Sequence, residues 1–204
     1  VWWAGSDVYR RRRLILLLWD GSWAGEIVHL PPDQLRVRPG RIDIALGDER
    51  ISYRDGVYRL RVDSRPLGLA VDLHLTPVSL PAIVQNIPLA PGAPLGWFIL
   101  PHLSVSGTLS RKGESHSVSQ GTAYHDHNWG RFRFGDDFAW EWGQLRAGPL
   151  NLVFSRTTDR GGRQVTNQEL LVWDGSRLVA LFHRDELEIQ LDGKMSESAL
   201  DLPR

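Results

Sequence analysis

The chain has 204 residues, 42% of them hydrophobic, which is enough to bury a core and excludes a disordered tail. Lysine plus arginine number 24, as do aspartate plus glutamate, so no net charge favours nucleic acid or an acidic partner. Because cysteine is absent, disulfides, thiolate metal sites and thiol nucleophiles are excluded.

The first predicted element is a strand over residues 14–19, directly after the arginines at positions 10–13. A basic segment before an apolar one resembles the start of a secretory signal. The apolar segment is too short to span a bilayer, however, and no small-residue cleavage site follows it. We therefore interpret residues 14–19 as a buried strand.

Turn dipeptides recur along the rest of the chain, each between short apolar or alternating segments. They are Asp20-Gly21, Asp55-Gly56, Lys112-Gly113, Asp174-Gly175 and Asp192-Gly193. Asp-Gly in this setting is a strong hairpin signal, since both central residues of the tightest turns have positive φ. Further strands are predicted over 26–30, 34–38, 41–46, 50–53, 57–62, 69–75, 102–109, 116–124, 138–145, 150–157 and 169–173. Only residues 195–200 favour a helix, so the sequence predicts an all-β, antiparallel, meandering barrel.

Residues 77–101 carry six of the twelve prolines. Proline removes donors from a strand ladder, so this segment is not expected to be a continuous central strand. We predict a long connection that covers the mouth of the barrel. A rigid spacer is the alternative that composition leaves open.

The segment 121–130, GTAYHDHNWG, places several hydrogen-bonding side chains between two glycines. If it is extended, its period of two puts Tyr124, Asp126 and Asn128 on one face and His125 and His127 on the other. The histidine face could hold a metal only if a third ligand, such as His102 or His116, lay close in space. Nothing in the spacing requires such a ligand, and we expect no metal.

The other face of this segment has two interpretations. An aspartic acid enclosed by aromatic rings is desolvated, so its pKa rises and it can act as a general acid. Alternatively, Asp126 and Asn128 cap a turn before Trp129 and Gly130. The spacing alone favours the turn cap over the general acid.

Aromatic residues flank the segment on both sides. Phe138, Trp140 and Trp142 alternate along one strand, and Trp97 with Phe98 ends the proline-rich segment. Either group fits an ordinary core. Together with Trp129, they could also wall a pocket for a long apolar ligand.

The sequence HDHNWG, followed by F-x-W-E-W and preceded by W-F-x-x-P, resembles the carotenoid 1,2-hydratases (hydroxyneurosporene synthases) and the wider AttH-like group of tandem-lipocalin proteins. The similarity runs from about residue 95 to residue 145. It implies two lipocalin-like β-barrels and cofactor-free addition of water to an isolated carbon–carbon double bond of an acyclic carotenoid. At 204 residues the chain is too short for two complete barrels. We therefore expect a barrel over 1–144 that carries HDHNWG and the start of a second, incomplete one over 145–204.

The resemblance implies that Asp126 is the proton donor, with Tyr124, Trp129 and Trp97 as its aromatic neighbours. His125 and His127 join the candidate catalytic residues. The candidate substrate-binding residues are Trp97, Asn128, Phe138, Trp140 and Trp142. One departure is Leu95, where the hydratases are expected to carry a histidine.

Three functions follow as hypotheses: a hydratase-like lyase of carotenoid or terpenoid biosynthesis, a cyclase or isomerase of a polyene on the same fold, and a non-catalytic lipocalin-type carrier of a hydrophobic ligand. The expected partner is a hydrophobic small molecule, a polyene or terpenoid, with no cofactor and no nucleic acid. We expect a cytoplasmic protein in peripheral contact with the membrane surface. Export fits the sequence as well, and the oligomeric state stays open.

Overall fold

A computed structural model describes residues 12–19, 21–90, 93–130, 132 and 137–189 of the chain. Fourteen strands account for most of these residues. The strands of the first half are β1 Arg12–Trp19, β2 Trp23–Leu30, β3 Leu35–Val37, β4 Asp43–Leu46, β5 Glu49–Arg54, β6 Val57–Ser64, β7 Leu69–Pro77 and β8 Ala82–Ala90. Those of the second half are β9 Ala93–Arg111, β10 Glu114–Gly130, β11 Phe138–Ala147, β12 Leu150–Asp159, β13 Val165–Asp174 and β14 Arg177–His183. Two short 3-10 helices cover Pro32–Gln34 and Arg184–Glu186.

The strands form three sheets. β1 pairs with β2, the strands from β3 to β10 form an eight-stranded sheet, and β11 to β14 form a four-stranded sheet in chain order. The strand pairs with a described register are antiparallel. The predicted all-β, antiparallel, lipocalin-like fold is therefore confirmed, although the described strands do not show a closed barrel.

Two of the predicted turn dipeptides have the expected backbone conformation. Asp55 and Gly56 have φ of 50° and 82°, and Lys112 and Gly113 have φ of 51° and 89°. Positive φ at both central residues gives a turn that matches the twist of the flanking strands. At Asp174-Gly175 the glycine has a positive φ of 55°, but the aspartate does not have a positive φ. Asp20, Asp192-Gly193 and the helix expected over 195–200 lie outside the described residues.

The prediction that residues 77–101 form a connection over a barrel mouth is wrong. Most of this segment is extended, as β8 and the first part of β9. The prolines are tolerated because β8 pairs with β9 alone among the described strands, so one of its edges needs no ladder donors. Pro88 lies opposite Pro94 beside a register shift, and Asn86, with φ of 59°, lies within another. Bulged edge strands accept proline where central strands do not.

The chain divides into two compact units, both discontinuous in sequence. Among the described residues, unit 1 comprises those within 12–76 and 105–121, and unit 2 those within 77–104 and 122–189. The two longest strands, β9 and β10, contribute residues to both. This division differs from the expected boundary between 1–144 and 145–204, which stays a prediction.

Each unit has its own hydrophobic core. In unit 1, Leu16, Leu46 and Val62 are buried, with further aliphatic side chains packed around them. The core of unit 2 is larger and contains Trp97, Phe138 and Trp173, all nearly or completely buried. Strands β8 and β9 supply Ile87, Leu89, Leu95, Trp97 and Ile99, while β11 to β13 supply Phe138, Val153, Leu171 and Trp173. The candidate motif lies in unit 2, against this second core.

Within the described ranges, no helix is both long enough and apolar enough to cross a membrane.

Candidate functional site

The centre of the candidate site is the carboxyl group of Asp126 on β10. Its Oδ2 accepts two hydrogen bonds, one of 2.9 Å from Nε1 of Trp97 and one of 3.1 Å from the hydroxyl of Tyr124. Tyr124 and Asp126 are two residues apart on an extended strand, so their side chains lie on the same face. Trp97 reaches them from β9, which neighbours β10 in the sheet. The structure thus brings together three residues that the sequence predicted.

Burial dominates the electrostatics of this group. Desolvation raises the pKa of Asp126, although the hydrogen bonds from Trp97 and Tyr124 and the nearby His127 all lower it. The pKa of Tyr124 is also raised, first by burial and then by the neighbouring Asp126. Tyr124 therefore stays a neutral donor at ordinary pH. Among the described residues, none donates to Oδ1 of Asp126, so this oxygen is the one that can carry an available proton.

Aromatic rings of β11 lie beside this carboxyl group. The rings of Trp97 and Trp140 meet edge to face, with centroids 5.7 Å apart, and Trp142 lies 5.3 Å from Tyr124. Trp140 is held by a 2.7 Å hydrogen bond from its Nε1 to the hydroxyl of buried Ser155. The two residues that donate hydrogen bonds to the acid are therefore themselves packed against indole rings of β11. The cavity expected beside the acid stays a prediction.

Sequence reasoning missed Ser155, the anchor of Trp140. A signal was present, because Gly148 and Pro149 form the turn between β11 and β12. The turn makes Ala147 and Leu150 cross-strand partners. Counting cross-strand pairs away from the turn then places Ser155 opposite Trp142. A polar residue at a buried position of that ladder is a candidate partner for a neighbouring indole N–H.

The other face of β10 carries the two histidines. His125 packs against Phe98, with centroids 5.5 Å apart, and His127 stacks on Trp129 at 5.9 Å and an interplanar angle of 21°. Burial lowers the pKa of His125 to about 4, so its imidazole is neutral at ordinary pH. The alternation predicted for these histidines is therefore observed. Trp129, expected as an aromatic neighbour of the acid, lies with the histidines instead.

Trp129 is fixed on that face by close contact with the backbone. It is 40% exposed, yet its ring lies over Gly96 so closely that a Cβ placed there would come within 2.2 Å of Cε2. Glycine at position 96 makes this approach possible. Trp129 covers β9 on the surface opposite Asp126.

Two further candidates belong to the interior. Phe138 is buried in the core of unit 2, where it meets Phe132 edge to face at 5.6 Å. Asn128 has a buried Oδ1 that accepts no hydrogen bond from the described residues. An unsatisfied buried amide oxygen is costly and can bind a donor on a ligand or a water molecule. Leu95 occupies the position where a histidine was expected from the family resemblance. Its side chain is only 1% exposed.

The metal interpretation of His125 and His127 requires a third ligand. The two candidates lie elsewhere, since His102 is within 3.2 Å of the guanidinium of Arg146 and His116 is 4.0 Å from Glu114. Over the described part of the chain, no group of three or more His, Asp or Glu side chains is arranged to hold a metal ion.

Comparison with known proteins supports the fold assignment. The structure is similar to the crystal structure of a Nitrosomonas europaea protein named as a candidate AttH, with a TM-score of 0.66 and 19% sequence identity. The match covers 81% of this chain and 53% of the other, so this chain spans about half the length of that protein. No family profile and no curated protein matches the sequence. The fold is thus lipocalin-like in class, and within that class it is AttH-like.

Proposed function

We propose that this chain is a hydratase-like lyase, which adds water to an isolated carbon–carbon double bond of an apolar polyene or terpenoid. The observation that carries the proposal is the desolvated carboxyl group of Asp126, fixed through Oδ2 and surrounded by aromatic side chains. Burial favours the protonated acid, and two fixed donors hold it in one orientation. The AttH-like fold is consistent with the proposal but carries no activity by itself.

The reaction begins with transfer of the proton on Oδ1 of Asp126 to the less substituted carbon of the double bond. The electron pair of the π bond forms the new C–H bond, which leaves a tertiary carbocation and the Asp126 carboxylate. Trp97 and Tyr124 then stabilise that carboxylate, because both donate hydrogen bonds to Oδ2. The two oxygens therefore have separate tasks, one in proton transfer and one in orientation.

Aromatic rings would stabilise the cation. Tyr124, Trp140 and Trp142 lie against the core around the acid, and each suitably placed ring contributes about 0.5–2 kcal/mol to binding a cation. Water attacks the carbocation, and the surplus proton returns to the Asp126 carboxylate. The net change is addition of H and OH to the double bond, and the acid is regenerated.

A carrier function is the second candidate, and it is favoured by Leu95. Because this side chain is apolar and buried, it cannot orient water as a histidine at that position could. Asp126 would then bind the polar end of a ligand without transferring its proton. A cyclase or isomerase would use the same acid but quench the cation with another double bond or by proton loss.

Isotope incorporation separates these functions. The full chain is incubated with acyclic polyenes and terpenoids in water labelled with deuterium and heavy oxygen, and the recovered lipid is analysed by mass spectrometry. A hydratase introduces both labels, a cyclase or isomerase introduces at most deuterium, and a carrier returns unlabelled ligand. Bound but unlabelled ligand across the whole panel would contradict the lyase proposal and support the carrier.

A further inference from the structure

The outer face of β5, β6 and β7 in unit 1 contains a cavity of about 310 Å³ with a strongly basic lining. Its polar lining residues are Arg50, Ser52, Arg54, Arg59, Arg61 and His74. No acidic side chain is among the described residues that line it. The whole-chain balance of 24 basic and 24 acidic residues therefore conceals a local excess of positive charge.

The strand register concentrates these charges. Arg50 on β5 is the direct cross-strand partner of Arg61 on β6, and Arg59 is the partner of His74 on β7. Like charges directly opposite one another, as at Arg50 and Arg61, destabilise an antiparallel pair. Asp72, the cross-strand partner of Arg61, offsets part of this repulsion, and a bound anion would offset the remainder.

Two carboxylates, those of Asp43 and Asp72, hold some of these guanidinium groups in place. Asp72 accepts hydrogen bonds of 2.9 and 2.7 Å from Arg59 and one of 3.0 Å from Arg61. Asp43 accepts bonds of 3.0 and 2.7 Å from Arg50. These contacts use Nε and Nη2 of Arg50 and Arg59 and only Nε of Arg61, so further N–H groups of each fork stay available for a ligand.

Arg54 is the least engaged of the four arginines. Its only described ion pair is a 3.9 Å contact with Asp43, and its side chain is 60% exposed. The four lining guanidinium groups share these two carboxylates, and Asp43 also pairs with Arg38 at 3.4 Å. The local excess of positive charge favours a multiply charged anion, and planar guanidinium forks suit the oxygens of a phosphate group.

We propose that this cavity is a binding site for a phosphate group. The group could belong to a free phosphorylated small molecule or to a lipid headgroup, since both present the same oxygens. The proposal is independent of the hydratase-like function, because all its residues belong to unit 1 whereas Asp126 belongs to unit 2. A failure of one proposal leaves the other standing, since phosphate binding is measured without turnover.

Calorimetric titration of the full chain with inorganic phosphate and pyrophosphate, at constant ionic strength, tests the site. We expect saturable binding of one anion, with pyrophosphate bound more tightly. Arg54→Gln combined with Arg61→Gln should weaken binding by about tenfold or more, since two charge-assisted contacts are lost. Arg177→Gln is the matched control, because Arg177 is also an exposed strand arginine but lies on β14. Its binding should equal that of the parent.

Vesicles identify the source of the phosphate. The chain is mixed with phosphatidylcholine vesicles that carry or lack phosphatidic acid. Binding to the acidic vesicles alone, lost in the double variant, assigns the site to a headgroup, whereas binding of free pyrophosphate assigns it to a small molecule. If the double variant does not fold, the single variant Arg54→Gln replaces it in the same binding measurements. The proposal is overturned if neither ligand binds, or if Arg177→Gln weakens binding as much as the cavity variants do.

Discussion

The indole nitrogen of Trp97 donates a 2.9 Å hydrogen bond to Oδ2 of Asp126. Trp97 is completely buried, so the candidate acid is fixed by a side chain of the core of unit 2. A hydrogen bond to the charged form lowers the pKa of a carboxyl group, yet burial outweighs it at Asp126. The same contact can therefore orient the acid before proton transfer and stabilise the carboxylate afterwards.

Asp126→Asn should abolish turnover of a polyene or terpenoid while ligand binding stays close to that of the parent. The amide keeps the shape of the side chain and can still accept from Trp97 and Tyr124, but it cannot deliver a proton. The expected loss is roughly 10²–10⁴-fold in rate. Product formation and ligand affinity are measured side by side, with Asp33→Asn on an exposed helix as control. Equal turnover in the parent and Asp126→Asn would remove the acid from the mechanism.

The stability that Asp126 contributes should decrease as the pH rises. Its pKa is raised in the folded state, so the folded chain holds this proton more tightly than the unfolded chain does. The contribution is complete below the unfolded pKa and is lost as the pH rises through the folded value. Urea unfolding of the parent and Asp126→Asn across acidic and neutral pH gives the difference in free energy. If the stability advantage of the parent over Asp126→Asn stays constant or grows as the pH rises, the pKa of Asp126 is not raised by folding.

Asp72 should show the opposite pH dependence. Hydrogen bonding from Arg59, with that from Arg61, lowers the pKa of Asp72 from its ordinary 3.8 to about 2. Its contribution to stability is therefore present above the unfolded pKa and is lost as the pH falls toward 2. Because the network is at the surface, we expect at most about 1 kcal/mol. Asp72→Asn should have a lower free energy of unfolding than the parent near neutral pH. In strong acid the two free energies should converge. Urea unfolding across this pH range measures both.

Trp142→Leu should reduce turnover more than Trp129→Leu. Trp142 packs beside Tyr124 on the side of the acid, whereas Trp129 stacks on His127 on the opposite face of β10. Loss of one cation-stabilising ring corresponds to about 2- to 30-fold in rate. Initial rates at saturating substrate provide the comparison. If Trp129→Leu has the larger effect, the cation forms on the histidine face.

Gly96→Ala should displace the ring of Trp129. The added Cβ would meet that ring at 2.2 Å, so the indole must move away from His127. We expect a loss of about 1–3 kcal/mol, as for other overpacked contacts. Tryptophan fluorescence and urea unfolding report the two effects. Gly161→Ala is the control, because its nearest neighbour is the flexible side chain of Arg163 at 3.1 Å, and it should change stability by less than about 0.5 kcal/mol.

The sequence predicts strands well where polar and apolar residues alternate, as in β6 and β7, and where Asp55-Gly56 marks the turn. It failed at β8, because a proline rule for central strands was applied to an edge strand with register shifts. The sequence also failed to predict β14, whose seven residues include five consecutive apolar ones and little alternation. A pattern of period two cannot identify strands that lack it.

At the site, the period of β10 was sufficient to place Asp126 and the histidines on separate faces. It could not reveal the bond from Trp97, because that contact depends on how β9 and β10 align. Nor could composition reveal the arginine cavity, since charges that cancel over the chain are separated only when Arg50 and Arg61 become cross-strand partners. Both features depend on register between strands, and register is fixed by turns, bulges and burial together.

β9 and β10, the strands that contribute to both units, also bear on how the chain reaches its native state. They are joined by the tight turn at Lys112-Gly113, so their hairpin is a local structure that can nucleate early. The other strands pair mostly with their neighbours in sequence, as β3 to β7 and β11 to β14 do, so these parts of each unit can form locally. Neither unit can be produced as one continuous fragment of the chain. A chain cut at any single position would lose part of β9, part of β10 or one strand of their hairpin. Expression of either half alone should therefore yield a chain with an unpaired strand edge that is prone to aggregate.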